Sequence, residues 1–250
     1  MFCKATLVAV ALALISSASP VVQEEGHRVT SYKRSTLTNP DGTFDHERAI
    51  HQAVRTHNKH RQNLVNLAAN EVRTRSTLPI LASSGSELYL GGTDTSLYTG
   101  AIEYHTVTGS GFWQASGAKV YANNNLGGSG FQTVIDSGTT IMYGPPSAVK
   151  AFYAQVPGSQ VYDSSNGFYS FPCNSVPKVA FNWGGKNWTV SAANFNLGKT
   201  SSTSNQCVGA LAGENLGLGN NVWLLGDSFM KNVYSVFSFD KNSVGFATLS

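Results

Sequence analysis

The run Val134-Ile135-Asp136-Ser137-Gly138-Thr139-Thr140 constrains this chain more than any other stretch. Gln132 to Ile135 have the β-branched, apolar character of a buried strand, which here delivers one carboxylate into a tight turn. Gly138 lets the backbone fold close around Asp136, so that amide N–H groups can reach its oxygens, and Ser137 and Thr139 add hydroxyl donors. A carboxylate gripped by several donors keeps a low pKa and stays ionised in acid, as a general base working at low pH must. The pattern predicts a strand feeding a catalytic loop, with Asp136 reacting and Ser137, Gly138 and Thr139 supporting it.

From Leu78 onward, short strand-like runs recur between turn signals: 87–91, 101–107, 117–121, 132–135, 178–182, 188–191, 207–211 and 233–239. Twenty-five glycines and many Ser, Thr and Asn residues fit an all-β domain. One helix is predicted over 145–155, with proline in its first turn and Val149, Phe152 and Tyr153 on one face.

Further motifs stand in a fixed order around the loop. Ser86-Glu87-Leu88-Tyr89-Leu90-Gly91-Gly92 and Phe112-Trp113-Gln114 precede it. Val222-Trp223-Leu224-Leu225-Gly226-Asp227-Ser228 follows, then Asn232 to Asp240 and Val244-Gly245-Phe246-Ala247. Together with the Asp136 loop, this series resembles the C-terminal lobe of the pepsin-like aspartic proteases of fungal type, from about Leu78 to Ser250. The resemblance implies an all-β single lobe, in which the Val222–Gly226 strand threads behind the catalytic loop. It also implies an aspartic endopeptidase that hydrolyses peptide bonds in acid through an Asp-activated water, with no cofactor and with peptides or proteins as substrates. Family enzymes use two lobes with one aspartate each, and only one such loop is present. Thr93-Asp94-Thr95-Ser96 lacks the glycine and the apolar lead-in, and is expected to be a surface turn. Asp227 is expected to be structural. A silent peptide-binding or inhibitory half-protease is the alternative reading, since one aspartate needs a second copy or a partner lobe for catalysis.

The first 75 residues differ in kind. Met1 to Pro20 reads as a secretory signal peptide, with Lys4, an apolar run over 5–15 and small residues at 16–19. Residues 21–75 carry nine Lys/Arg, six Asp/Glu and five of the six His, whereas 76–250 carry seven Lys, no Arg and eight acids. Within 21–75 a strand is expected over 29–37 and a helix over 44–67. Thr43 is expected to cap that helix, with Phe44, Ile50, Val54, Leu64 and Val65 on its apolar face. Phe44-Asp45-His46-Glu47-Arg48 and Asn58-Lys59-His60-Arg61 resemble fungal propeptide helices of the same family. A segment this cationic can cover a carboxylate-lined cleft until acid neutralises the carboxylates; the plain alternative is a solvated amphipathic helix. Lys33-Arg34 reads as exposed charge rather than a processing site. The second-lobe pattern begins directly after the 71–77 junction.

A net charge of +3 without a basic run argues against nucleic acid, and the short apolar leader argues against a membrane anchor. Export to the exterior or a vacuole leaves Cys173 and Cys207 as an even pair in an oxidising compartment. Their disulfide would close a loop of about 35 residues, worth roughly 3 to 4 kcal/mol in the chain-entropy picture. The resemblance places a disulfide there as well. Metal binding is the weaker reading, because no His follows His105. Asn187-Trp188-Thr189 is a glycosylation sequon.

Overall fold

Alternating apolar residues and turn-forming glycines give the expected succession of short strands. The computed structural model describes residues 27–30, 36–70, 87–109 and 111–250, so the leader, Lys33-Arg34 and the 71–77 junction lie outside the described residues. The chain begins with β1 (His27–Thr30), α1 (His46–Asn70), β2 (Glu87–Leu90), β3 (Tyr98–Thr106), β4 (Gln114–Ala122), β5 (Asn125–Ile135) and β6 (Met142–Gly144). It continues through α2 (Pro146–Tyr153), β7 (Gln160–Asp163), β8 (Phe168–Pro172), β9 (Val179–Asn182), β10 (Trp188–Val190), α3 (Ala192–Phe195) and β11 (Asn196–Lys199). The last elements are β12 (Gln206–Gly209), β13 (Leu211–Gly213), β14 (Val222–Leu225), α4 (Asp227–Met230), β15 (Tyr234–Ser238) and β16 (Ser243–Leu249).

A seven-stranded sheet in the order β10-β9-β4-β5-β14-β6-β13 carries the core. Its strands bury Ala115, Ala118, Val120, Ala122, Val134, Ile135, Leu224 and Leu225. β4 shifts register between Ala115 and Ala118, which restores the inward phase after Ser116-Gly117. Trp223 stacks on Phe131 at 4.6 Å, and α2 seals one end with Val149, Phe152 and Tyr153 buried as expected. A four-stranded sheet, β11-β12-β8-β7, and a three-stranded one, β15-β16-β3, flank this core. The expected single strand over 207–211 is two, β12 and β13, which belong to different sheets. Cys173 is bonded to Cys207, tying the end of β8 to β12.

The charged N-terminal segment departs from the sequence reading at several points, the first being that the strand expected over 29–37 is β1 over 27–30, with Thr36 and Leu37 outside it. Thr43 does not cap α1: its hydroxyl donates to Asp41 Oδ1 at 2.6 Å, while Asp45 Oδ1 accepts the Arg48 N–H at 3.0 Å at the helix start. A carboxylate one residue before the helix satisfies a free first-turn N–H and suits the positive end of the helix dipole. Val54 is 53% exposed, because docking turns a different face inward, that of Ala49, Ala53, Thr56 and His60. Phe44 precedes the helix and packs on the lobe, with its ring centroid 5.4 Å from that of Phe168 and 6.0 Å from that of Tyr162. Leu37, Phe44 and Ala49 thereby join the lobe's own core.

Candidate active site

β5 runs parallel to β14, which in turn lies antiparallel to β6, so Leu225 sits beside both Ile135 and Met142. This brackets the 136–141 turn between two strands of the sheet core. Asp136 N–H donates to Leu225 O at 3.0 Å, and Asp227 and Ser228 N–H donate to Thr139 O and Thr140 O at 2.7 and 2.9 Å. The threading strand therefore fixes the loop backbone on both sides. Asp227 opens α4 and is buried, in keeping with a structural role.

The Asp136 carboxylate is 8% exposed and gathers donors from two parts of the chain. From its own loop, Gly138 N–H donates to Oδ1 at 2.9 Å and the Thr139 hydroxyl to Oδ2 at 2.6 Å. From α1, Lys59 Nζ donates to Oδ1 at 2.7 Å and Oδ2 at 2.8 Å. His60 Nε2 stands 3.3 Å from Oδ2, its side chain 2% exposed and its ring 5.6 Å from that of Phe112. Burial alone would raise the Asp136 pKa, but His60, the Lys59 ammonium and the Thr139 hydroxyl overcome it and hold the carboxyl far below its usual range. Ser137 is buried, and its Oγ has no hydrogen-bond partner among the described residues.

Lys59 and His60 were not assigned to the site from sequence. The signal was available in the phase of α1, where Ala49, Ala53, Thr56 and His60 recur at helical spacing and carry Lys59 along one edge. Two more contacts follow the same helix. His46 Nε2 lies 2.7 Å from Asp163 Oδ2, and His57 is within electrostatic reach of Glu214, whose pKa burial raises. Glu214 lines a small cleft with Tyr143, Pro145, Leu216, Leu218 and Val222. The remaining expected positions lie apart from the loop. Asn187 is exposed in the β9–β10 turn, where its Oδ1 accepts from Asn182 Nδ2 at 3.0 Å. Asp94 sits in a turn but is 7% exposed rather than at the surface, because its Oδ1 bonds the Ser96 N–H and hydroxyl at 2.9 and 2.6 Å. Among the described residues, no group of three or more His, Cys, Asp or Glu is placed to hold a metal, and no helix is long and apolar enough to cross a membrane.

The family model for eukaryotic aspartyl proteases matches residues 51–249. The chain belongs to that family. It is 43% identical over 173 residues to an aspartic protease of Phaffia rhodozyma, covering 67% of this chain and 42% of that protein. To major aspartyl peptidase 1 of Cryptococcus neoformans it is 30% identical over 190 residues, covering 71% of this chain and 39% of the other. Cathepsin D of Bos taurus is 30% identical over 172 residues, with 66% and 43% covered. The chain thus spans about two-fifths of the length of these curated relatives. Within this aspartyl protease chain, the matched region begins inside α1, so the helix that carries Lys59 and His60 falls partly within it.

Proposed function

We propose that this chain is the C-terminal half of an acid endopeptidase, held silent by its own N-terminal strap. The contact of Lys59 Nζ with both Asp136 oxygens, at 2.7 and 2.8 Å, carries this reading. In the chemistry that the loop suits, a carboxylate activates water against a peptide carbonyl and a second, protonated carboxyl supplies a proton to the leaving amine. The aspartate dyad of pepsin works this way, through two carboxyls whose proximity drives their pKa values apart. Here an ammonium occupies the space in front of the carboxylate, and a capped, lone Asp136 can neither position water nor share a proton.

Peptides or proteins are the substrates that a completed site would take. Completion needs a partner lobe or a second copy. The capped carboxylate equally favours the second reading, a silent peptide-binding or inhibitory half-protease. The deciding experiment is acid proteolysis of a denatured protein against chain concentration, with Asp136→Asn as control. Monomeric samples are expected to show no cleavage above that control. Cleavage that scales linearly down to clearly monomeric concentrations, and is lost in Asp136→Asn, would refute the reading.

Met1–Pro20 directs export in this proposal, leaving 21–75 as a propeptide-like segment ahead of the lobe at 76–250. Asn187, at an exposed turn, then carries an N-linked glycan. The chain secreted from a eukaryotic host is expected to run faster on a gel after endoglycosidase treatment, and Asn187→Gln to lose that shift. An unchanged mobility of the secreted chain would remove the glycan from the account.

A further inference from the structure

We propose that Glu214 makes the cleft beside β6 and β14 a pocket for a Lys or Arg side chain of a bound peptide. On the reading of the lobe as half of a peptide-acting site, on which this rests, Glu214 selects the side chain held near Asp136.

The cleft lies within reach of the catalytic loop along two strands. Leu225 O accepts the Asp136 N–H at 3.0 Å, and Val222, in the cleft wall, stands three residues earlier on β14, about 10 Å away at the rise of a strand. On the other side, Tyr143 of β6 pairs with Leu224 and also lines the cleft. Glu214 N–H donates to Gly144 O at 3.0 Å, which fixes the residue at the end of that strand. An extended peptide advances as far in three residues as β14 does. A chain lying over Asp136 can therefore place one of its side chains here.

The lining joins apolar walls to one carboxylate. Tyr143, Pro145, Leu216, Leu218 and Val222 supply the walls and Glu214 the charge, around a volume of about 90 Å³. That is several times what one water needs, and it suits the end of a single side chain. Every lining residue belongs to the lobe, so docked α1 does not fill the cleft. Among the described residues, no hydrogen bond or ion pair compensates the Glu214 carboxylate. Burial raises its pKa, and the charge of His57 on α1 offsets this only in part. The Glu214 charge in turn raises the pKa of the Tyr143 phenol, adding to the larger effect of burial, so the carboxylate faces the cleft. A partly desolvated carboxylate gains from a cation beside it, and Lys and Arg bring that cation on an aliphatic stem that covers apolar walls. A neutral aliphatic side chain would cover the same walls and leave the carboxylate uncompensated. An acidic one would be repelled.

The test is an NMR titration of the intact chain at neutral pH and low salt with acetyl-lysinamide, beside acetyl-norleucinamide, which keeps a four-carbon aliphatic stem but lacks the ammonium. The lysine probe is expected to bind at least about threefold more tightly than the neutral one, with shifts centred on Tyr143, Gly144 and residues 214–218. Glu214→Gln, which keeps the shape and removes the charge, is expected to bring the two affinities together. The comparison of probes on the parent chain stands even if that variant folds poorly. Equal affinities on the parent, shifts centred elsewhere, no localised shift with either probe, or a preference that survives in Glu214→Gln would each overturn the proposal. Because binding is read in a chain that need not cleave, such a failure leaves the acid-proteolysis result untouched.

Discussion

Gly226→Ala is expected to abolish folding of the lobe. A Cβ at this position would stand 2.2 Å from the Thr139 carbonyl oxygen and 2.5 Å from that of Ile141, both backbone atoms that cannot swing aside. Moving them means pulling β14 away from the turn that holds Asp136, and with it the Asp227 N–H to Thr139 O bond of 2.7 Å. Steric and hydrogen-bond losses of this kind exceed about 4 kcal/mol, a large share of the stability of an ordinary domain. The check is soluble yield and thermal midpoint beside Gly92→Ala, where the added Cβ meets only Tyr89 at an ordinary 3.4 Å. A folded Gly226→Ala protein melting within a few degrees of the parent would show that β14 does not press on the loop as described.

Lys59→Ala is expected to loosen the docking of α1 on the catalytic loop. It strips the ammonium from a carboxylate that is 8% exposed, leaving the charge to Gly138, Thr139 and His60. Breaking a fully buried pair by removing one partner costs about 3 to 5 kcal/mol. Lys59 keeps 35% of its side chain in solvent, so screening reduces the expected loss to about 1 to 3 kcal/mol. The loss should be confined to the docking of α1, because the β5–β14 ladder does not involve Lys59.

How much of this was legible in the sequence depended on how local each determinant was. The strand into Asp136 and its supporting turn were legible because an apolar run, a glycine and two hydroxyls act within a few residues. α2 was legible because prolines at its start and a three-residue apolar face define a short helix. The start of α1 was misread because both Thr43 and Asp45 can cap, and which one does depends on Thr43 turning to Asp41. Its inward face was misread for a related reason. Val54 is the better apolar residue, yet Phe44 and His46 pin the strap to β7 and β8 and so set the rotation of the helix that follows. The contact of Lys59 with Asp136 spans 77 residues and depends on that rotation. The spacing of Ala49, Ala53, Thr56 and His60 marks a face of the helix but not what that face meets, and a run of Lys, His and Arg reads equally well as a solvated face.

The claim that Lys59 on the strap caps the Asp136 carboxylate is tested most directly by a double-mutant cycle in chemical denaturation, comparing the parent with Lys59→Ala, Asp136→Asn and the double variant at neutral pH. The two changes are expected to be coupled by about 1 to 2 kcal/mol, with Lys59→Ala costing little once the carboxylate is gone. Costs that simply add, with coupling within about 0.3 kcal/mol of zero, would contradict it.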